Sequence, residues 1–412
     1  NAFLPYRFPT KQLLQKGTNA LRILFHSSVN TGIARRRKWM AHHGLPQDIV
    51  WFDERAFVRK PAYSFGWDWG PRLVGCGITG EVFFETEPIP ELSVQVFPAD
   101  KGTYRVHVSP RDANIEFGLT GGGNATPCGE GEWEVTAAEW WPNGMGEQVL
   151  HEVIATFPNG TQLSKRFGLR HLEFLRERDA VGESFGFRIN DRDVWARGAN
   201  WIPSDSFLSR ESTEDVAKQL RLYATLNFNM LRVWGGGRYE SDAFYDLCDE
   251  LGILVWQDFP FACMYYPDDE PWQEAIRSEA EYHLKRLRHH ACLALWCGNN
   301  ENLQMYEQRW SGVGTMPDRY FGGPLYDEVL PSVVEAVDPG RGYIASSPIG
   351  KASTGGDVNM DFFGDSHYWD VWHGRGDWKH YADSKTRFSS EFGFASSCGL
   401  AAWQQAMPDI TE

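Results

Sequence analysis

The spacing of hydrophobic and polar residues changes along the chain. Residues 1–87 contain short apolar runs, such as 21–25 and 80–85, separated by Pro, Gly and Asn, which is typical of strands joined by turns. Beyond a Pro-rich joint at Pro88 and Pro90, further strand patterns flank the glycine-rich stretch 121–124 and predict a small β-sandwich. These predicted strands cover residues 92–97, 103–109 and 148–157.

From about residue 170, short apolar runs alternate with longer amphipathic stretches, which predicts alternating strands and helices. The predicted helices cover residues 212–226, 242–251, 272–290 and 326–337. Predicted strands end near Ala199 and before His367, and others cover 229–233, 253–256, 293–296, 343–346 and 387–390. Right-handed strand–helix–strand connections in this order build a parallel barrel, although an open doubly wound sheet is the main structural alternative.

The predicted architecture is therefore multidomain, with boundaries near residues 87 and 170. The eighth strand that a barrel requires is absent from the pattern, and the first region opens without a plausible initiator. We therefore expect the sequence to be a fragment of a longer protein that lacks both ends.

Charge and composition exclude some partners. The formal net charge is −15, so the field of the protein repels nucleic acid and anionic lipid surfaces. No run of 18 apolar residues occurs, so we expect no membrane-spanning segment. The seven cysteines form neither a CxxC pair nor a zinc spacing, and we expect mostly free thiols. Compartment and oligomeric state stay open.

Two glutamates each follow a buried strand pattern. Glu301 ends the run LALWCGNNEN together with Asn302, and Glu391 lies in SSEFG about 90 residues later. Because the carboxyl ends of barrel strands meet at one rim, these two side chains can approach each other. Two carboxyl groups about 5 to 5.5 Å apart are what hydrolysis of a glycosidic bond with retention requires. The simpler alternative is that both glutamates are ordinary surface carboxylates.

Five short motifs resemble glycoside hydrolase family two, and within it the β-mannosidases. They are WCGNNEN at 296–302, SEFG at 390–393, GWDWGP at 66–71, GANWIP at 198–203 and RVWGGG at 232–237. The resemblance implies a sugar-binding-like jelly roll over residues 1–87, an immunoglobulin-like β-sandwich over 88–170 and a catalytic (β/α)8 TIM barrel over 171–412.

The same resemblance implies Glu301 as the acid/base and Glu391 as the nucleophile of a retaining double displacement. We expect the negative charge of Glu391 to raise the pKa of Glu301 so that it can donate a proton. No metal and no organic cofactor is required. Arg232 is expected to pair with Glu391 and keep it charged.

The remaining candidate residues are those that would bind the terminal sugar. Trp faces stack on pyranose C–H groups, and carboxylates or amides bind pairs of hydroxyls. We interpret His283, His289 and His290 on the long charged helix as a solvated face rather than a metal site. The resemblance places Asp68, Trp69, Trp234, Asn300, Trp310, His367 and Trp369 around the sugar.

The expected function is therefore an exo-acting retaining β-mannosidase that releases terminal β-D-mannose from manno-oligosaccharides or glycan cores. A sister activity such as β-galactosidase, β-glucuronidase or exo-glucosaminidase is the nearest alternative, because substrate choice depends on the loops around a shared carboxylate pair. A non-catalytic carbohydrate-binding protein is the alternative from another class. Two adjacent buried carboxylates argue against it, since their desolvation serves no binding purpose.

Overall fold

The computed structural model describes residues 1–86, 90–100, 102–350, 357–394 and 399–409. Its first 86 residues contain one helix, α1 (Ser28–His42), and two 3₁₀ turns, Glu54–Phe57 and Ala62–Phe65. The Ser27 hydroxyl accepts a hydrogen bond from the backbone N–H of Asn30 and so caps α1. The joint predicted at Pro88 lies outside the described residues.

The strands predicted at 21–25 and 80–85 are wrong, because both runs are irregular and no described segment pairs with either of them. Their apolar side chains remain in solvent: Leu24 is 76% and Phe83 60% exposed. A strand needs a neighbour that accepts and donates its backbone hydrogen bonds, so an apolar run without one does not become a strand.

Two antiparallel sheets form the predicted β-sandwich. One has the order β1-β2-β5-β4 and the other β3-β6-β7. Val94, Val106, Val135, Val153 and Phe167 point inward from both sheets into a shared core. The strands are β1 (Ser93–Pro98), β2 (Tyr104–Ser109), β3 (Asn114–Gly118), β4 (Gly123–Gly129), β5 (Glu132–Ala137), β6 (His151–Thr156) and β7 (Gln162–Phe167).

The glycine-rich stretch 121–124 is not purely a break between strands, as the sequence suggested, because Gly123 and Asn124 belong to β4. A Cβ on Gly123 would lie 2.5 Å from the carbonyl oxygen of Thr136 on the adjacent strand. Glycine is therefore required there by the close approach of β5 and by its φ of +145°. A short antiparallel meander, β8 (Leu172–Leu175), β9 (Gly186–Ile189) and β10 (Arg192–Val194), follows the sandwich.

A five-stranded parallel sheet carries the chain onward in consecutive order from β11 to β15. The residues of its three middle strands are buried throughout, as expected for strands covered on both faces. The strands are β11 (Gly198–Trp201), β12 (Met230–Val233), β13 (Leu254–Asp258), β14 (Leu293–Cys297) and β15 (Gly342–Ile344). The connecting helices are α2 (Thr213–Thr225), α3 (Asp242–Leu251), α4 (Glu270–Leu287), α5 (Asn302–Glu307) and α6 (Leu330–Val337).

Two more strands, β16 (Ser366–Tyr368) and β17 (Ser389–Phe392), pair in parallel with each other, and helix α7 (Leu400–Ala406) follows them. A side-chain contact links β17 to the first strand of the larger sheet: the Asn200 amide donates to the Ser390 carbonyl oxygen over 3.1 Å. The seven strands that the sequence predicted from residue 170 onward are therefore present.

The first region is fastened to helix α4 by a buried ion pair. The Arg59 guanidinium donates to both carboxylate oxygens of Glu279, at 3.0 and 2.6 Å. It also donates to the Pro260 carbonyl at 2.9 Å and lies over the ring of Phe261. None of the helices in the described part of the chain combines the length and apolar character needed to cross a bilayer.

Candidate active site

Glu301 immediately precedes α5 and lies four residues after the end of the buried strand β14. Its backbone is in the left-handed region, with φ 61° and ψ 6°, a conformation that costs a non-glycine residue about 1–3 kcal/mol and that is concentrated at functional sites. Backbone hydrogen bonds fix the preceding segment: the Asn300 N–H donates to the Phe261 carbonyl, and the Glu301 N–H donates to the Ser347 carbonyl over 2.8 Å.

Glu391 lies on β17, directly beside His367 in the parallel register of the two strands. The indole N–H of Trp369 donates to its Oε2 over 3.2 Å. The Trp369 ring also explains the glycine two residues after the glutamate, because a Cβ on Gly393 would lie 2.7 Å from Trp369 Cζ3. The geometry thus brings Glu391, His367 and Trp369 together.

One imidazole nitrogen links the two glutamates. His367 Nδ1 lies 2.7 Å from Glu301 Oε1 and 3.3 Å from Glu391 Oε2. These nitrogen and oxygen atoms all lie within 4.8 Å of one another. Glu301 and Glu391 are 9% and 6% exposed, so the pair is buried. This spacing matches the about 5 to 5.5 Å that a retaining glycosidase requires better than the wider inverting separation.

Arg232 neutralises part of this buried negative charge. Its Nη1 donates to Glu391 Oε1 over 2.6 Å, and its Nε and Nη2 bind the carboxylate of Asp258. Two amide oxygens complete its coordination, those of Asn200 and Asn300. The pairing of Arg232 with Glu391 that the sequence suggested is therefore present, and Asn300 reaches the cluster through the same guanidinium.

The pKa values of the cluster differ from the expectation. Burial raises the pKa of Glu301, but the hydrogen bond and charge of His367 outweigh it, so the pKa of Glu301 lies below its ordinary value. Burial raises the pKa of Glu391, and the effects of His367 and Arg232 do not fully offset it. Burial lowers the pKa of His367, but both glutamates outweigh it and raise that pKa. The expected increase at Glu301 is therefore wrong, because the proton is drawn to the imidazole between the two carboxylates.

Aromatic residues from the first region pack on Trp234, which shares a small buried core with Cys263. Trp69 lies on Tyr63 and reaches Trp234, with ring centroids 5.8 Å apart in each pair. Trp67 meets Trp234 edge to face at 4.7 Å. Trp69 is 42% exposed, which leaves part of its face open to a ligand.

Two further candidates lie at the margin of this aromatic group. Trp310 packs against the group, and its indole N–H donates to Gln308. Asp68 is exposed in the turn between Trp67 and Gly70. Within the described residues Asp68 has no hydrogen bond to either glutamate, so this structure does not bring it into the carboxylate cluster.

Sequence reasoning missed several residues that contact the cluster. The buried Cys263 thiol donates to Glu301 Oε2 over 3.2 Å and joins Glu301 to the core of Tyr63 and Trp234. Asp258 ends β13 and pairs with Arg232 at 2.8 Å. A polar residue at the end of a buried parallel strand was the signal for Asp258, whereas no sequence signal distinguished Cys263 from the other scattered cysteines.

The histidines of α4 and its end are not a solvated face. His283 is 5% exposed, its Nε2 contacts the Phe3 carbonyl at 2.7 Å, and burial lowers its pKa to about 3. His290 pairs with Asp249 at 2.6 Å. Among the described residues, two groups present metal-ligand atom types close together: Asp249, His290 and Cys292, and the catalytic candidates Glu301, His367 and Glu391.

Comparison with known proteins places this geometry in context. Residues 1–80 match the family model of the glycosyl hydrolase 2 galactose-binding domain-like fold. Over 95% of its length the chain is 34% identical to β-mannosidase B of Emericella nidulans and 35% identical to β-mannosidase B of Aspergillus fumigatus. A solved β-D-mannosidase from Dictyoglomus thermophilum superimposes with a TM-score of 0.75 and 37% identity, over 86% of this chain and 46% of that one.

The chain is similar in sequence to these β-mannosidases, and its first 80 residues match a glycosyl hydrolase 2 domain. It spans about half the length of the curated β-mannosidases that it matches, 50% in both cases. These comparisons confirm the resemblance drawn from the five motifs.

Proposed function

We propose that the protein is an exo-acting retaining β-mannosidase that removes terminal non-reducing β-D-mannose from manno-oligosaccharides or glycan cores. The observation that carries the proposal is the buried pair Glu301 and Glu391, whose oxygens lie with His367 Nδ1 within 4.8 Å of one another. The β-mannosidase relatives supply the substrate class, because the carboxylate pair alone is compatible with several β-glycosides.

The reaction proceeds in two displacements. Glu391, held charged against Arg232, attacks the anomeric carbon while Glu301 gives its proton to the departing oxygen. A covalent mannosyl–Glu391 ester forms, and the C–O bond to the leaving group breaks. Glu301, now a carboxylate, then removes a proton from water, which attacks the anomeric carbon and releases β-mannose with the original configuration.

The scaffold of this chemistry is proposed to be a (β/α)8 barrel, of which residues 171–412 form a part with seven parallel strands. The consecutive parallel order from β11 to β15, the parallel pair β16 and β17, and the Asn200 contact from β11 to β17 support it. Residues 88–170 are proposed as an immunoglobulin-like sandwich. Residues 1–87 are proposed as part of a sugar-binding-like jelly-roll domain, on the basis of the family match over residues 1–80 rather than of strands in the described residues.

Sugar contacts are proposed on two sides of the carboxylates. Trp69 and Trp234 lie on the side of the first region, and Trp369 lies beside Glu391. Asn300 and His367 border the pair and can bind ring hydroxyls when substrate displaces their internal contacts. Asp68 and Trp310 are proposed at the margin of the site. No metal or organic cofactor takes part in these steps.

The deciding experiment compares aryl β-mannoside with the corresponding galactoside, glucoside and glucuronide on the full-length protein. Preference for the mannoside, and release of β-mannose as the first anomer seen by NMR, support the proposal. Preference for another glycoside assigns a sister activity. Isothermal binding of mannobiose without turnover of any glycoside indicates a non-catalytic binding protein.

A further inference from the structure

Behind the carboxylate pair, a buried chain of hydrogen bonds leads away from the candidate site. His367 Nε2 lies 3.0 Å from Ser347 Oγ, and the Ser347 hydroxyl donates to Asp365 Oδ2 over 2.6 Å. Ser347 and Asp365 are both fully buried, and His367 is 3% exposed. Ser347 is also clamped by backbone bonds to the Asn299 carbonyl and the Glu301 N–H. The three side chains are therefore held in fixed register with the acid/base candidate.

Asp365 accepts hydrogen bonds and donates none. Besides Ser347, its carboxylate accepts from the Ser390 hydroxyl at 2.5 Å and from the Ile349 backbone N–H at 2.9 Å. A serine hydroxyl has a single proton. Because Ser347 gives that proton to Asp365, its oxygen can only accept from His367. His367 must therefore carry a proton on Nε2.

The opposite ring nitrogen then has a defined state. A neutral imidazole that carries its proton on Nε2 presents a lone pair at Nδ1. Nδ1 lies 2.7 Å from Glu301 Oε1, and such a contact between a lone pair and a carboxylate is repulsive without a further proton. That proton must lie either on the Glu301 carboxyl or on Nδ1, which is the position from which a general acid can use it.

We propose that Asp365, acting through Ser347, is a positioning residue that fixes His367 in its Nε2–H form and so keeps the catalytic proton in the bond between His367 and Glu301. What this proton does in turnover rests on the proposed function, but its location does not. The charged groups that face His367 are Glu301 at the start of α5, Glu391 on β17 and, across Glu391, Arg232 on β12. The raised pKa of His367 agrees with a proton retained at this position.

Asp365→Asn provides a sharp test because it preserves size while it reverses the direction of hydrogen bonding. An amide can donate to Ser347 Oγ, which frees the serine proton to point at His367 Nε2. The imidazole then carries its proton on Nδ1 and donates it to an ionised Glu301. The acid would thus lose its proton without any change in the position of the carboxylates.

The direct readout is the tautomer of His367, measured by long-range ¹⁵N–¹H NMR on the full-length protein labelled with ¹⁵N-histidine. The signal is assigned by its loss in His367→Gln. In the unmodified protein we expect an Nε2–H signal protected from solvent, whether or not Nδ1 is also protonated. In Asp365→Asn we expect Nδ1–H without Nε2–H, and in Ser347→Ala we expect Nε2 to lose its protection. Ser346→Ala is the matched control, since this neighbouring buried hydroxyl bonds Asn299 instead and must leave the His367 signal unchanged.

The kinetic readout separates loss of acid assistance from general damage. For mannosides with poor leaving groups, we expect Asp365→Asn to lower kcat by about 10- to 1000-fold, within the range of general acid–base catalysis and of a wrong histidine tautomer. Dinitrophenyl mannoside needs little protonation of its leaving group, so we expect the rate of its first step to fall by less than about threefold. Equal losses for both substrates would indicate a merely structural role and overturn the proposal.

The NMR measurement tests the proposed tautomer independently of the kinetic measurement. An Nδ1–H tautomer in the unmodified protein overturns the proposal whether or not any glycoside is hydrolysed. An Nε2–H tautomer that responds to Asp365→Asn and Ser347→Ala supports it, and if no mannoside is then turned over, only the proposed function is refuted. Because Ser347→Ala reports on the same contact, the test stands even if Asp365→Asn does not fold.

Discussion

The segment after β14 and the strand β17 each present one buried glutamate, yet they surround it with different donors. Glu391 binds a guanidinium from Arg232 and an indole N–H from Trp369, and His367 Nδ1 lies farther from it, at 3.3 Å, than from Glu301. Glu301 binds the imidazole of His367 and the thiol of Cys263, and no arginine among the described residues hydrogen-bonds to it.

The difference lies in whether the donor can give up its proton. A guanidinium and an indole keep their protons at any physiological pH, so they favour the carboxylate form of Glu391 against the burial that raises its pKa. An imidazole exchanges its proton near neutrality. Under the proposed function, two identical side chains whose oxygens lie within 4.8 Å thus acquire different tasks from their partners, a nucleophilic carboxylate at Glu391 and an exchangeable proton at Glu301.

The strongest way to test this contrast is to remove each glutamate in turn. Glu391→Ala should reduce turnover of every mannoside to background, because no other group can attack the anomeric carbon. Glu301→Ala should lose about 10²- to 10⁴-fold on poor leaving groups, retain the first step with activated aryl mannosides, and regain rate with azide. Steady-state and burst kinetics measure both. Equal loss in the two variants without azide rescue would contradict the assigned roles.

Replacing Arg232 tests the positive charge that pairs with Glu391. Arg232→Gln leaves Asp258 and Glu391 buried without their cation, and loss of one partner of a buried ion pair costs about 3–5 kcal/mol. We expect a lower denaturation midpoint and a large loss of kcat. Arg232→Lys is the control. The single ammonium of lysine cannot bind the carboxylates of Asp258 and Glu391 with the geometry of a guanidinium. Arg232→Lys should therefore recover stability more than activity. Full recovery of kcat would show that positive charge alone suffices.

The pH profile tests the exchangeable proton. Because the pKa of His367 is raised above 6.5, the proton shared with Glu301 is lost only as pH rises through that higher value, where kcat/KM should fall. Because the pKa of Glu391 is raised above 4.5, kcat/KM should also fall as pH drops through that value and the nucleophile is protonated. His367→Gln should move the alkaline limb to lower pH. An unchanged alkaline limb would mean that His367 does not hold this proton.

The smallest expected effect comes from the second donor to the nucleophile. Trp369→Phe keeps an aromatic ring beside Gly393 but removes the N–H that donates to Glu391, an interaction with a charged group worth about 1.5–3 kcal/mol. We expect kcat to fall about 10- to 100-fold, with little change in folding. Trp372→Phe is the matched control, because this half-exposed tryptophan on the adjacent turn contacts neither glutamate. A similar loss in both variants would assign the effect to ring packing.

The sequence predicted the part of the fold in which each element can be recognised alone. The seven strands from β11 to β17 are short apolar runs followed by helices or turns with clear caps, such as Ser212 at the start of α2. In contrast, the runs 21–25 and 80–85 have the same apolar character but no described partner, and they remain irregular. Pairing is a property of two segments, whereas the pattern describes only one.

The candidate site shows the same limit. Glu301 and Glu391 were predictable because they follow recognisable strands. Arg232 was predictable because it begins the motif RVWGGG at 232–237. The contacts of Cys263, Ser347 and Asp365 were not, because these residues lie in connections whose course depends on tertiary structure. The altered pKa of Glu301 was missed for a related reason: its direction depends on where the His367 ring lies, which the sequence does not state.

The buried pair of Arg59 and Glu279 has a mechanical consequence for substrate access. It fixes the region that carries Trp69 to helix α4, so the two cannot hinge apart without stranding two unpaired charges in the interior. The Trp69 side of the proposed sugar site therefore rests on an anchored support rather than on a hinge. Under the proposed function, a sugar approaches the carboxylates past a surface whose position does not depend on closure of the two regions.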